Sequence, residues 1–160
     1  MVERLSAAIC GAGMALLCSS VAMARSEIRG IQSVNGISIV GAASMYNPYR
    51  PGYREGGVET ASGEPYNPSA WAAAIQADLR EKFGGVRRGN RASYAVVEGI
   101  NKKVIVKIND VGPLKPGRII DFDEQTMRYF DPTLRQGLIH NIKVTPLIGD
   151  DWLAGPIAEK

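Results

Sequence analysis

Val104-Ile105-Val106-Lys107-Ile108-Asn109-Asp110-Val111-Gly112-Pro113, followed shortly by Gly117-Arg118-Ile119-Ile120-Asp121, is the stretch that decides how this chain is read. Val104 to Ile108 is an apolar, β-branched strand. It delivers Asn109 and Asp110 onto a Gly-Pro turn, so a carboxylate is held at a strand end, where rigid backbone positions a reactive group well.

Upstream, Arg4 supplies a positive start, Leu5 to Met23 is apolar and small, and Ala22-Met23-Ala24 has the small-x-small form of a cleavage site. Residues 1–24 are therefore expected to be a cleaved secretory signal peptide, with no stable membrane insertion afterwards. Cys18 follows Leu17 rather than a small residue, which argues against lipidation. Cys10 and Cys18, both cysteines of the chain, lie in this segment, so disulfides and thiol chemistry are not expected in the mature domain. Glu3 and Arg4 cancel, so the net charge of +3 is unchanged by cleavage. That mild, scattered basicity suits acidic surfaces such as a cell wall and does not form a nucleic-acid footprint.

Residues 25–36 are polar and Gly-punctuated, a flexible lead-in. From Ile37 to Tyr46 a strand is predicted, and its small run Gly41-Ala42-Ala43-Ser44 implies close approach by another segment. Asn47 to Gly57 is a long Pro/Gly loop carrying Tyr49 and Tyr53, both expected in solvent. Thr60 to Tyr66 is a compact turn. Trp71, Ile75, Leu79 and Phe83 recur at four-residue spacing after Ser69, a candidate N-cap, and Gly84-Gly85 follows, so a helix is predicted over Ala70 to Phe83 with those four residues facing the core. A basic loop, Val86 to Arg91, leads to a hairpin of Tyr94–Glu98 and Val104–Asn109 around Gly99-Ile100-Asn101-Lys102. Ile119-Ile120 is a short strand, Asp123 caps a brief helix to about Phe130, and Leu138–Leu147 is the last strand. Residues 149–160 are expected to be a loose tail. Short strands with interposed helices and no βαβ alternation point to one mainly β domain, a small barrel over 37–148.

Four motifs, Gly41-x-Ala43-Ser44-x-Tyr46, Thr60-Ala61-x-Gly63-Glu64-x-Tyr66, Ile108-Asn109-Asp110-x-Gly112-Pro113 and Gly117-Arg118-Ile119-Ile120-Asp121, occur in the order seen in the rare lipoprotein A-like proteins, which the chain resembles from about Gly41 to Val144. The resemblance implies a six-stranded double-psi β-barrel with one or two inserted α-helices, shared with expansins and one class of lytic transglycosylase. It also implies action on peptidoglycan glycan strands in the periplasm or outside the cell, as an endolytic lytic transglycosylase that leaves 1,6-anhydro ends. The family's catalytic aspartate falls on Asp110. Asn109, Asp121, Glu64, Tyr46 and Tyr66 are the supporting or substrate-binding candidates, with Glu64 or Asp121 the neighbour that would raise the proton affinity of Asp110. No cofactor, metal or nucleic acid is called for, and a monomer is expected.

The chain departs from the family pattern in two places. Family enzymes carry a functional His after a Thr-Ala-Ala run; here the stretch is Ala72-Ala73-Ala74-Ile75, which puts Ile75 at that position. Met45 stands where the family has Trp. The single histidine, His140, lies far along the chain and is expected to be structural or exposed. The alternative reading is therefore a non-catalytic, expansin-like glycan-binding or wall-loosening module.

Overall fold

The computed structural model describes residues 37–52, 57–89 and 93–158. The expected signal peptide, the lead-in, Tyr53 and the end of the basic loop lie outside the described residues. Six strands form the domain: β1 (Ile39–Met45), β2 (Ala72–Gln76), β3 (Ser93–Gly99), β4 (Lys102–Gly112), β5 (Arg118–Phe122) and β6 (Leu138–Pro146). Their order around the sheet is β2-β5-β1-β6-β3-β4, and β4 pairs back onto β2, closing a barrel. The β1–β5 and β2–β4 pairs are parallel and the rest antiparallel. The mainly β barrel expected from the motifs is the fold observed, with one α-helix, α1 (Glu124–Phe130), and one 3-10 helix (Ala77–Phe83) inserted.

Strand alternation builds the core. Ile75, Val97, Val106, Ile120 and Ile142 meet inside, each essentially without exposure. Full burial of one such side chain contributes about 1.5–3 kcal/mol. From α1, Met127 and Phe130 enter the same core, and Phe130 stacks on Phe122 with 5.4 Å between ring centroids. The hairpin between β3 and β4 turns through Ile100 and Asn101, both at positive φ (49° and 55°), as a two-residue turn matched to strand twist requires. Gly41 on β1 is approached as its neighbours implied: a Cβ there would lie 2.6 Å from Cγ2 of Ile119.

Two expectations are corrected. The helix over Ala70–Phe83 is instead β2 followed by the 3-10 helix, with Gly84 in the left-handed conformation (φ 80°) at its end. Ala72 to Ile75 run between β4 and β5 and are buried on both faces. Alanine is the best helix former, yet its small side chain also lets a strand pass between two neighbours, and packing overrides propensity. Ser69 is not a cap; its N–H donates to Oδ1 of Asn67 at 2.9 Å. The tail is not loose throughout either. Gly155–Pro156 form β7 against Val104 and Ile105 of β4. Trp152 and Ile157 cover Val96, Ile105 and Leu147, a second apolar cluster that needs a lid because β3 and β4 carry apolar residues on both faces.

Candidate active site

On β4, Val104, Val106 and Ile108 point inward, so strict alternation would send Asp110 into the core as well. A bulge prevents this. Across β2, Ala73 pairs with Ile108 but Ala74 pairs with Asp110, leaving Asn109 as the extra residue. Alternation resumes in the opposite phase, Val111 packs against the core, and Asp110 faces outward. On the other side of β2, Ala74 pairs with Asp121, and Asp121 pairs in turn with Ser44 of β1. Ser44, Asp121, Ala74 and Asp110 thus form one row across four strands, on one face. At normal strand spacing the two aspartate Cα atoms are roughly 10 Å apart. Only the methyl group of Ala74 lies between them, so the row is a shallow recess walled by two carboxylates.

The turn Thr60–Glu64 clips onto the bulge. Thr60 N–H donates to the Glu64 carbonyl at 2.8 Å and Ser62 N–H to the Asn109 carbonyl at 3.0 Å. The neighbouring Ala61 N–H donates to Oδ1 of Asp110 at 2.8 Å, as does the N–H of Val111. One oxygen of Asp110 is therefore fixed twice, while Oδ2 accepts no hydrogen bond from the described residues. Burial raises the proton affinity of Asp110 above the usual carboxylate range, and the two N–H donors pull against that shift. On the far side of the Gly-Pro turn, the Gln76 amide brackets Leu114, accepting from its N–H at 2.6 Å and donating to its carbonyl at 3.2 Å.

Asp123 is the residue that sequence reasoning missed here. It stands at the N-cap of α1, as expected, but its side chain makes no capping hydrogen bond. Its backbone is extended (φ −62°, ψ 158°), so it shares the outward face of Asp121, two residues back, and its N–H donates to the Ala72 carbonyl at 3.1 Å. Burial, and then the charges of Asp110 and Asp121, push its carboxyl up to about 8. The alternation Asp121-x-Asp123 at a strand end was the available signal.

The other expected residues are distributed as follows. Glu64 is not the neighbour that raises Asp110: it pairs with Nζ of Lys107, which holds its carboxyl below the ordinary value. Asn109, buried in the bulge, adds a side-chain hydrogen bond to Glu64. Tyr46 and Tyr66 are buried braces beside the recess. Tyr46 donates to the Gly57 carbonyl, and the Tyr66 hydroxyl donates to the Tyr46 carbonyl at 2.7 Å while accepting Glu124 N–H at 3.2 Å, which gives α1 the partner Asp123 does not. Their rings meet edge to face at 5.2 Å, and exposed Tyr49 packs on Tyr66 at 5.8 Å. Ile75 pairs with Ile120 on the core side of β2, fully buried, so its side chain faces away from Asp110. His140 is exposed on β6. Among the described residues no cluster of three or more His, Cys, Asp or Glu has the geometry to hold a metal, and no helix is long and apolar enough to cross a membrane.

A closed six-stranded barrel with two parallel pairs, β1–β5 and β2–β4, is the topology of the double-psi class. Residues 38–144 match the model of the double-psi β-barrel family described as lytic transglycolase, and the chain belongs to that family. No curated protein matches the sequence. Among solved structures, the Streptomyces papain inhibitor is similar, with 18% identity and a TM-score of 0.53 over 70% of this chain and 96% of that one. At that identity the likeness is one of fold.

Proposed function

We propose that the protein is a lytic transglycosylase acting on peptidoglycan glycan strands in the cell envelope, with Asp110 as its acid and then its base. The observation that carries this reading is the bulge at Asn109, which turns a half-buried carboxyl out of the core with one oxygen fixed by two N–H donors and the other accepting no hydrogen bond from the described residues. Protonated Asp110 donates to the glycosidic oxygen as the bond from the anomeric carbon breaks toward an oxocarbenium-like state. The sugar's own C6 oxygen then bonds to that carbon, and its proton returns to Asp110. The product is a 1,6-anhydro end, and no water is consumed. Family membership supports the substrate class, and the leader-like pattern over residues 1–24 supports the location.

A second reading, a glycan-binding module without turnover, is favoured by two features. Ile75, at the position of the family's histidine, lies in the core, and the paired N–H donors on Asp110 favour its charged form. Incubation of the purified protein with intact and with peptide-free peptidoglycan separates the two. The enzyme reading expects 1,6-anhydro products that fall by about 100-fold or more in Asp110→Asn, the scale of a lost general acid. Sedimentation with glycan and no product at any pH would establish the module instead.

A further inference from the structure

The hairpin that carries Thr60–Glu64 is tied firmly within itself. Glu59 bridges Pro65, and the Tyr66 N–H donates to the Val58 carbonyl at 2.7 Å. At its tip the Gly63 N–H donates to the Thr60 carbonyl and the Thr60 hydroxyl to the Glu64 carbonyl, each at 2.9 Å. Such a hairpin moves as one piece, so whatever fastens its tip to the barrel decides where its N–H groups stand.

Among the described residues, the tip is fastened to β4 at Asn109, Asp110 and Lys107. Ser62 reaches the Asn109 carbonyl and Ala61 reaches Oδ1 of Asp110 through backbone N–H groups, which any sequence would supply. The third fastening is an ion pair, Nζ of Lys107 on the Glu64 carboxylate. Lys107 and Asp110 share the outward face of β4, but Lys107 pairs with Ala72 and Asp110 with Ala74, one outward position further along β2. The ammonium is spent on Glu64, and what shifts Asp110 is burial and the N–H groups of Ala61 and Val111. Around Asp110 the turn presents Glu64, β5 presents Asp121 with Asp123 just past its end, and β2 presents only the methyl groups of Ala72 and Ala74. A hydroxyl hydrogen on Oδ1 would point at two N–H groups, so the exchangeable proton of Asp110 belongs on Oδ2.

We propose that Lys107 is a positioning residue for the cleavage reaction: by latching Glu64 it holds the Ala61 N–H on Oδ1 of Asp110 and so keeps the catalytic proton on Oδ2. This rests on the transglycosylase reading. The pair is partly exposed, and such pairs add little to stability, so its effect falls on the geometry of Asp110 rather than on the fold.

The test uses the full chain with 13C-labelled aspartate. Lys107→Met and Glu64→Ala remove opposite charges yet open the same latch. Both are expected to speed hydrogen exchange at the Ala61 amide by about tenfold or more. With one N–H donor gone from its anion, the Asp110 carboxyl should titrate about half a pH unit or more higher in both. A direct effect of charge would move Asp110 up in Lys107→Met and down in Glu64→Ala, and that result, or an unchanged Ala61 amide, would overturn the proposal. In cleavage assays kcat should fall about tenfold with KM within about twofold, and the alkaline limb of kcat/KM should move to higher pH. A rise in KM alone would make Lys107 a substrate contact and end the proposal. The exchanged pair Lys107→Glu/Glu64→Lys remakes the latch and should bring the amide and the titration back toward wild type; no recovery would mean a merely structural role. If Lys107→Met does not fold, Glu64→Ala, on the exposed tip, decides by the same readings. If no form cleaves glycan, the transglycosylase reading fails while the amide and the carboxyl still judge the latch.

Discussion

At the scale of single residues, the chemistry of the recess is set by what surrounds each carboxyl rather than by its residue type. Glu64, beside Lys107, is held charged, whereas Asp123, buried among acids, is held neutral. An acid whose folded-state value is raised, here to about 8, binds its proton more tightly in the native than in the unfolded chain, where aspartate titrates near ~3.9. Its contribution to folding is therefore complete below about pH 4 and is lost as pH rises toward 8. Thermal unfolding between pH 5 and 8.5 should show the wild type losing on the order of a few kcal/mol relative to Asp123→Asn. Parallel curves would show that Asp123 ionises without penalty. Gly41 is a second residue-scale test. Gly41→Ala drives a methyl group into Ile119 and should cost roughly 1–3 kcal/mol in denaturant unfolding, with part regained in the double variant Gly41→Ala/Ile119→Ala. The sequence made Asp110, Asp121 and the close approach at Gly41 legible, because those features sit in local motifs. The isolation of Asp123 from cations was not legible, because it depends on which distant elements surround it.

At the scale of elements, β2 is where local pattern and tertiary packing part. Trp71, Ile75, Leu79 and Phe83 have helical spacing, and all four do pack in or against the core, but as a strand, a 3-10 helix and their flanks. Periodicity reported burial correctly and backbone conformation wrongly, since a short apolar run has no period of its own. The strand assignment also decides what a histidine at the family's position would do here. A histidine placed by Ile75→His would point into the barrel beside Ile120, not toward Asp110. That variant should lose about 2–4 kcal/mol and gain no cleavage, because an imidazole without a partner is buried in an apolar core. A gain in 1,6-anhydro product with the melting temperature preserved would show that β2 presents its other face to the recess. The bulge at Asn109 is the matching element on β4: one extra residue decides that Asp110 faces substrate and Val111 the core.

At the scale of the whole molecule, closure of six strands leaves an apolar outer patch, Val96, Ile105 and Leu147, and the returning chain covers it with Trp152, β7 and Ile157. Ending the chain before Trp152 should expose that patch and lower stability by about 2–4 kcal/mol, while the recess, built on β1, β2, β4 and β5, keeps its geometry. Unchanged urea unfolding of the shortened chain would make the strap dispensable. By itself the sequence determined the fold class, the hairpin, the last strand and the aspartate at the strand end, because alternation and Gly/Pro turns act over a few residues. Only the tertiary structure decided that an alanine run is a strand, that the tail is a seventh strand, and that three aspartates converge on Ala72 and Ala74. Those outcomes depend on pairing between segments far apart in the chain. Burial and charge at the point where they meet have no local signature.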